Sequence, residues 1–166
     1  AQLRYNGPAE ALWRLTGIET IDISGPAAIA ADFGGRLGEP SIRGVFRTSA
    51  ARLESRVIGA VVTQLAATGR FNGSRLVIPQ FIGETPKAGT LSGSATFDLA
   101  AANGFGMNIS IDAKGARVLD RDDVRADVTG PLRITSDGNG GTISGKVNVD
   151  RGRFRLGRAA AVAVPK

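Results

Sequence analysis

The chain has 166 residues, a length that can bury a core without disulfides or metals. It has no cysteine and no histidine, which excludes Cys/His zinc sites, Ser-His-Asp triads, Cys-His dyads and haem ligation by these residues. The net charge of +6 points to an anionic partner. GC-rich coding alone would also produce the excess of arginine over lysine, and the arginines are scattered singly along the chain.

Both ends of the chain read as interrupted structure rather than as natural termini. No apolar run approaches the ~20 residues that a membrane span needs, and no signal peptide opens the chain. The first residues look like the middle of a strand and the last ones look cut off. We therefore expect a segment excised from a longer protein.

The first predicted element is a short helix at residues 7–15, where Pro8 suits the first helical position and Glu10 the positive end of the helix dipole. Residues 56–68 are ambiguous between helix and strand. Their β-branched side chains and Gly59 favour a strand.

The following elements alternate apolar and polar side chains with a period of two. This holds for residues 91–99, 105–114 and 143–149. Such strands have one buried face and one face in water, which is typical of antiparallel sheets.

Residues 140–146 spell Gly-x-x-x-x-Gly-Lys, one residue short of a nucleotide-binding P-loop. A P-loop needs Ser or Thr after the lysine and then a helix, whereas Val147 follows here and the next residues alternate like a strand. The preceding Ser-Asp-Gly-Asn-Gly-Gly favours a tight turn. We predict a hairpin without phosphate binding, with Lys146 on the polar face.

The acidic stretch at residues 117–127 could offer carboxylates to Ca²⁺ from Asp120, Asp122, Asp123 and Asp127. It lacks the spacing of an EF-hand and is interleaved with arginines, so a solvated turn is the better interpretation. No pair of carboxylates stands out as an acid/base couple. We predict no catalytic residue, no metal site and no cofactor.

Four arginines surround Phe154 near the end of the chain: Arg151, Arg153, Arg155 and Arg158. They could serve a nucleic acid or an anionic headgroup. A turn or bulge at Arg151-Gly152 would instead direct the arginines to solvent and bring four apolar residues to one face: Val147, Val149, Phe154 and Leu156. We favour this second interpretation and predict no nucleic-acid partner.

The chain also resembles itself. Residues 89–98 and 141–150 share Gly-Thr-[Leu/Ile]-Ser-Gly, and residues 22–32 and 127–137 share Asp-[Ile/Val]-[Ser/Thr]-Gly-Pro. We interpret these as hairpins of one design, of which the middle copy is looser: residues 22–48, 73–99 and 127–156. Repetition of this kind predicts stacked units that need a neighbour to bury their apolar face.

About 12 strands in one sheet, at ~4.8 Å spacing, would extend on the order of 55 Å. Such a sheet must curl or pack on itself to hide its apolar face. Curled without closing, it forms a trough suited to acyl chains. Packed shut, it forms a sandwich without a cavity, and the residues alone leave both possibilities open.

Three stretches resemble the TamB family of the AsmA-like group: residues 23–44, 75–98 and 128–158. They are glycine-and-strand patterns, not a catalytic signature. The resemblance implies a long protein anchored in the inner membrane of a Gram-negative bacterium, with a β-rich periplasmic body that forms an open, hydrophobic-lined groove. It also implies an outer-membrane partner, a TamA-like barrel of the Omp85 class, which this segment does not necessarily contact. The membrane anchor would lie in parts absent from this segment.

We therefore expect residues 1–166 to form a single all-β segment. Its fold would be an elongated, curved, open, antiparallel-rich sheet, shaped like a taco or groove, with a hydrophobic concave face and at most one short helix. That face would shield phospholipid acyl chains during transport between the two membranes, as part of a translocation and assembly module. No enzymatic activity is expected.

The residues predicted to line the groove are Ile21, Ile23, Ile29, Ile42, Phe46, Leu53, Leu91, Ala95, Phe97, Leu99, Phe105, Met107, Ile109, Ile111, Val124, Val128, Leu132, Ile134, Ile143, Val147, Val149, Phe154 and Leu156. Two alternatives remain open at this point. The segment could be a chaperone-like scaffold that holds strands of outer-membrane barrel proteins or autotransporters by β-augmentation. It could also be a periplasm-spanning spacer with a closed, dry core.

Overall fold

The computed structural model describes residues 1–17, 19–100 and 104–156. Strands account for most of them, and the strand bounds are β1 (Gln2–Pro8), β2 (Ile21–Ser24), β3 (Pro26–Arg36), β4 (Glu39–Ser55), β5 (Val61–Gly73), β6 (Arg75–Thr85), β7 (Gly89–Asp98), β8 (Met107–Asp120), β9 (Val124–Ser136), β10 (Gly141–Gly145) and β11 (Asn148–Phe154). The α-helix in the described part is α1 (Ala9–Trp13), which continues into a 3-10 turn at Arg14–Thr16.

All eleven strands belong to one open antiparallel sheet, with the order β1-β3-β4-β5-β6-β7-β8-β9-β10. Strand β2 pairs with the end of β4 beyond β3, and β11 pairs with the part of β9 beyond β10. The strands thus fill nine positions. Eight spacings give about 38 Å, shorter than the predicted length because two pairs of strands share a line. The prediction of an all-β, open, antiparallel sheet with one short helix is confirmed.

The long strands are interrupted at a common height across the sheet. The ladders shift register between Thr48 and Leu53 in β4 and between Ala113 and Ala116 in β8. Five residues along this line have positive φ: Gly25, Ala50, Gln64, Gly115 and Gly130. Bulges bend the strands that contain them. We call this line of irregularities the crease.

The two faces of the sheet differ in exposure. Along β1 exposed residues alternate with half-buried ones, and β4 and β6 show a similar alternation. Within the described residues the sheet is a single layer.

The fully buried apolar core is small. Nine apolar residues are buried, and seven of them are alanines. The described part contains no large side chain that is fully buried. The closed sandwich left open by the sequence is therefore wrong, since its two layers would bury large aliphatic and aromatic side chains between them.

At one end of the strands, elements that are not neighbours in the sheet contact each other, and we call this contact the pinch. The turn between β4 and β5 reaches the end of β8, where the Asp120 amide donates a hydrogen bond of 2.9 Å to the Ile58 carbonyl. Strands β6 and β7 lie between β5 and β8 but are joined by a shorter hairpin, which turns at Pro86–Ala88. Nearby, Ala113, Ala116 and Val128 form a buried cluster.

Several predicted elements differ in detail. The helix is shorter than residues 7–15, and Pro8 precedes it with an extended backbone. Residues 56–60 form a turn and irregular backbone, so β5 begins only at Val61. Residues 137–140 form the predicted turn between β9 and β10, where the Asp137 side chain accepts a hydrogen bond from the Asn139 amide.

Candidate functional site, an uncovered apolar face

One face of the sheet is apolar along its whole length. Residues directly opposite each other in neighbouring strands point to the same side. Starting at Phe97, the register leads to Met107 in β8 and to Leu76 in β6, and from Leu76 to Phe71 in β5. We call this side the apolar face and the opposite side the polar face.

The register places most of the predicted groove residues on the apolar face. In β2 to β4 these are Ile21, Ile23, Ile29, Ile42, Phe46 and Leu53. In β7 and β8 they are Leu91, Ala95, Phe97, Met107, Ile109 and Ile111. In β9 to β11 they are Val124, Val128, Leu132, Ile134, Ile143, Val149 and Phe154.

Four predicted residues lie outside the paired strands. Val147 falls in the gap between β10 and β11 and packs against the buried cluster of Ala113, Ala116 and Val128. Leu99 follows β7, and Leu156 follows β11 and is exposed. Phe105 lies in the connection between β7 and β8, with φ of +56° and a side chain that is 59% exposed.

Sequence analysis missed the central part of the apolar face, which β5 and β6 supply. The residues concerned are Leu65, Phe71, Leu76, Ile78 and Phe81. The alternation breaks at Pro79, because the register shifts between Ile78 and Phe81. A proline inside an apolar run was the available signal, since proline within sheets is confined to edges, strand starts and bulges.

Glycines let large side chains lie flat on this face. A Cβ on Gly69 would come within 3.4 Å of side-chain atoms of Leu76, Ile78 and Phe46. A Cβ on Gly93 would be 3.0 Å from the Phe81 ring. Neighbouring apolar side chains thus cover the glycines and join across strands. The resulting surface can make apolar contacts but offers few hydrogen-bonding groups.

The register shift in β11 brings its apolar residues together. It falls between Val149 and Arg151, so Val149 and Phe154 both lie on the apolar face, opposite Val128 and Val124. This is one residue before the predicted position. Arg151, Arg153 and Arg155 are exposed, as expected, whereas Arg158 lies outside the described residues.

The edge formed by β10 and β11 is the most exposed part of the apolar face. Ile143, Val149 and Phe154 remain 71%, 61% and 69% exposed. In the described part of the chain both strands pair on one side only, with β9. This edge therefore combines free backbone groups with uncovered apolar side chains.

The acidic stretch is only partly a solvated turn. Residues 121–123 are exposed, but the carboxylate of Asp127 is nearly buried and receives two hydrogen bonds from Arg117, at 2.7 Å from Nε and 3.1 Å from Nη2. These hydrogen bonds lower the pKa of Asp127 and raise the pKa of Arg117. The sequence predicted a solvated turn here and gave no sign that Arg117 and Asp127 face each other on paired strands.

The described residues contain no group of three or more acidic side chains placed to hold a metal ion. No helix among them is long and apolar enough to span a membrane. The ion pairs that the structure shows join neighbouring strands, residues of one strand, or residues in or next to a turn. The apolar face is the candidate functional site.

Comparison with known proteins gives one match. The family model described as the TamB C-terminal domain matches residues 80–166, which is more than half of the chain. No curated protein and no solved structure matches. The matched region begins in β6 and includes β7 to β11.

Proposed function

Because the chain belongs to the TamB family, a family of translocation and assembly module components, we propose that its apolar face shields phospholipid acyl chains from water during transport between the two membranes. Family members are anchored in the inner membrane, span the periplasm and associate with the outer-membrane protein TamA. We propose that this segment works in the periplasmic part of such a protein.

The observation that carries the proposal is an apolar face that extends along the whole sheet and that no second layer of the described residues covers. Each Å² of apolar surface removed from water contributes about 25 cal/mol. Acyl chains lying on this face would supply the contacts that the single layer lacks. Lipid headgroups would remain at the open seam, beside water.

The groove favours movement over tight binding. Its floor repeats aliphatic side chains of similar size, as in Ile109, Ile111 and Leu132 of neighbouring strands. A ligand is held in one place by a deep pocket and by a small number of polar groups that converge on it. The described residues of the apolar face form no such pocket and place no such polar groups. Lipid would therefore diffuse along it in small steps.

Native mass spectrometry of the purified chain tests the proposal. Phospholipid should copurify with the wild type and be reduced several-fold in Phe97→Asp and Ile109→Arg, because each change puts a charge on the apolar face. Thr96→Asp and Ser110→Arg are matched controls, since these neighbours lie on the polar face. Folded Phe97→Asp that carries and transfers as much lipid as Thr96→Asp would refute the proposal.

The edge at β10 and β11 supports a second function, a chaperone-like scaffold for outer-membrane barrel proteins or autotransporters. Free backbone groups there could pair with an unfolded strand by β-augmentation, and Ile143, Val149 and Phe154 could contact its side chains.

A proline in β10, at a residue whose amide points away from β9, should weaken the binding of an unfolded outer-membrane strand and leave bound lipid unchanged. If neither lipid nor strands bind, both proposals are wrong.

A further inference from the structure

The register gathers arginines that are scattered along the sequence onto the polar face of β1 to β6. Arg43 and Arg47 lie on either side of Val45 in β4, and Arg70 of β5 is directly opposite Val45. Arg4 of β1 lies in the same row, because it pairs with Ala30, which pairs with Val45. All four side chains are exposed. We call Arg4, Arg43, Arg47 and Arg70 the arginine cluster.

Three members of the cluster lie very close together. Diagonal neighbours in adjacent strands are about 7–8 Å apart between Cα atoms. Arg70 is such a neighbour of both Arg43 and Arg47. Three guanidinium groups therefore share a small area of the sheet, and Arg4 extends this area toward the β1 edge.

Within the described residues no ion pair joins the cluster to a carboxylate. The ion pairs there involve other arginines: Arg52, Arg56, Arg117, Arg121 and Arg125. Asp32 is the register partner of Arg43 but forms no ion pair with it. Like charges at this spacing repel each other, and an anionic partner would relieve that repulsion.

The surroundings of the cluster indicate which anion fits. Small and aliphatic residues separate the arginines, and Val45 and Val77 are each 37% exposed. Guanidinium groups match phosphate oxygens in a planar, bidentate geometry. The rows from β1 to β6 that hold the cluster contain no aromatic side chain on the polar face, so nucleic-acid bases would have nothing to stack on.

We propose that the arginine cluster docks the polar face of the sheet onto the phosphate headgroups of an anionic membrane surface. The arginines form a two-dimensional array over three strands, as the phosphates of a headgroup layer do. The exposed valines allow close approach without burying unpaired polar groups. This binding uses the face opposite the proposed lipid groove, so either function can fail without the other.

Vesicle cosedimentation of the chain tests the proposal. The chain should bind vesicles of phosphatidylcholine mixed with phosphatidylglycerol, bind phosphatidylcholine alone far more weakly, and lose binding as salt rises. Each arginine near an anionic leaflet strengthens binding about fivefold, so Arg47→Glu/Arg70→Glu should weaken binding at least about 25-fold.

The matched control is Arg133→Glu/Arg153→Glu, which changes net charge equally at exposed strand arginines outside the cluster. Its binding should fall much less than that of the cluster variant, and both variants should keep the wild-type circular dichroism spectrum. Equal losses in the two variants would overturn the proposal, because net charge alone would then explain binding. Equally tight binding to neutral vesicles, or to single-stranded DNA at matched phosphate, would overturn it too.

Discussion

Replacing Asp127 with Asn should destabilise the chain strongly, although the two side chains have nearly the same shape. Asp127 accepts both hydrogen bonds of the Arg117 guanidinium, and the two side chains are only 6% and 11% exposed. The substitution leaves a mostly buried guanidinium without its counter-charge. Asp120 lies 3.9 Å from Arg117 Nη1 and also pairs with Arg125, so it compensates only in part.

The expected loss follows from these contacts. A hydrogen bond to a charged group contributes about 1.5–3 kcal/mol, and the asparagine amide can still accept one bond. We therefore expect the free energy of unfolding to fall by about 2–3 kcal/mol. For a domain of this size, that corresponds to a Tm lower by roughly 4–12 °C.

The Arg56–Asp22 pair provides a matched control. Its two hydrogen bonds, of 2.6 and 3.0 Å, have nearly the same geometry, but its side chains are 65% and 48% exposed. Asp22→Asn should leave the Tm almost unchanged, because exposed pairs contribute little. Thermal and urea unfolding followed by circular dichroism measure both variants. If Asp127→Asn costs no more than Asp22→Asn, burial of the Arg117–Asp127 pair has no energetic weight and the reasoning is refuted.

The same comparison predicts a pH dependence. Hydrogen bonds from Arg117 lower the pKa of Asp127 below its ordinary value of 3.8. The stabilisation is therefore complete above that value and is lost as the pH falls through the lower pKa of the folded state. The difference in stability between wild type and Asp127→Asn should be largest near neutral pH and shrink in acid. A difference that stays constant down to the lowest pH at which the chain folds would contradict this.

Two further predictions concern the crease and the pinch. Gly25→Ala and Gly130→Ala should each lower the free energy of unfolding by about 1–3 kcal/mol in urea titrations. Gly25 has φ of +103° and a Cβ there would lie 2.9 Å from Ala51 Cα, whereas Gly130 has φ of +137° and a Cβ there would lie 2.5 Å from the Lys146 carbonyl oxygen. Gly73→Asn, at a turn glycine with open space around it, should lower it clearly less. The Asp120 amide should exchange slowly with deuterium, because it is hydrogen-bonded to the Ile58 carbonyl. Deletion of Val57 and Ile58 should speed its exchange, while the Ile109 amide should stay protected. Fast exchange of the Asp120 amide in the wild type would mean that the contact between the β4–β5 turn and β8 does not persist in solution.

The sequence predicted the parts of the fold that regular alternation encodes. Phe97 and Ile109 fell on the apolar face because their strands alternate without interruption between Leu91 and Ile111. Alternation could not predict which side chains of β5 and β6 lie on the apolar face, because irregularities at Gln64 and Pro79 interrupt these strands. Each interruption exchanges the two faces, so an error of one residue reverses every side chain beyond it.

Contacts between residues far apart in the sequence could not be predicted from it, for a different reason. Arg4, Arg47 and Arg70 are far apart in the sequence, and only the order and register of β1, β3, β4 and β5 bring them together. The Arg117–Asp127 pair required knowledge that both side chains are withdrawn from water. The division of the chain into repeats at residues 22–48, 73–99 and 127–156 stays a prediction.

The crease also limits how such a chain can change in length. If a residue is inserted in one strand between its turn and the crease, the bulge of that strand no longer lines up with the bulges of the two neighbouring strands. The inserted strand would then bend at a different height from its neighbours. Over a short stretch its apolar side chains would lie on the polar face and its polar side chains on the apolar face. Insertions in the turns at the opposite end, such as residues 137–140, leave the bend axis intact. We therefore expect related chains to gain and lose residues in the turns at that end of the sheet. The number of residues between the crease and the opposite end should vary less.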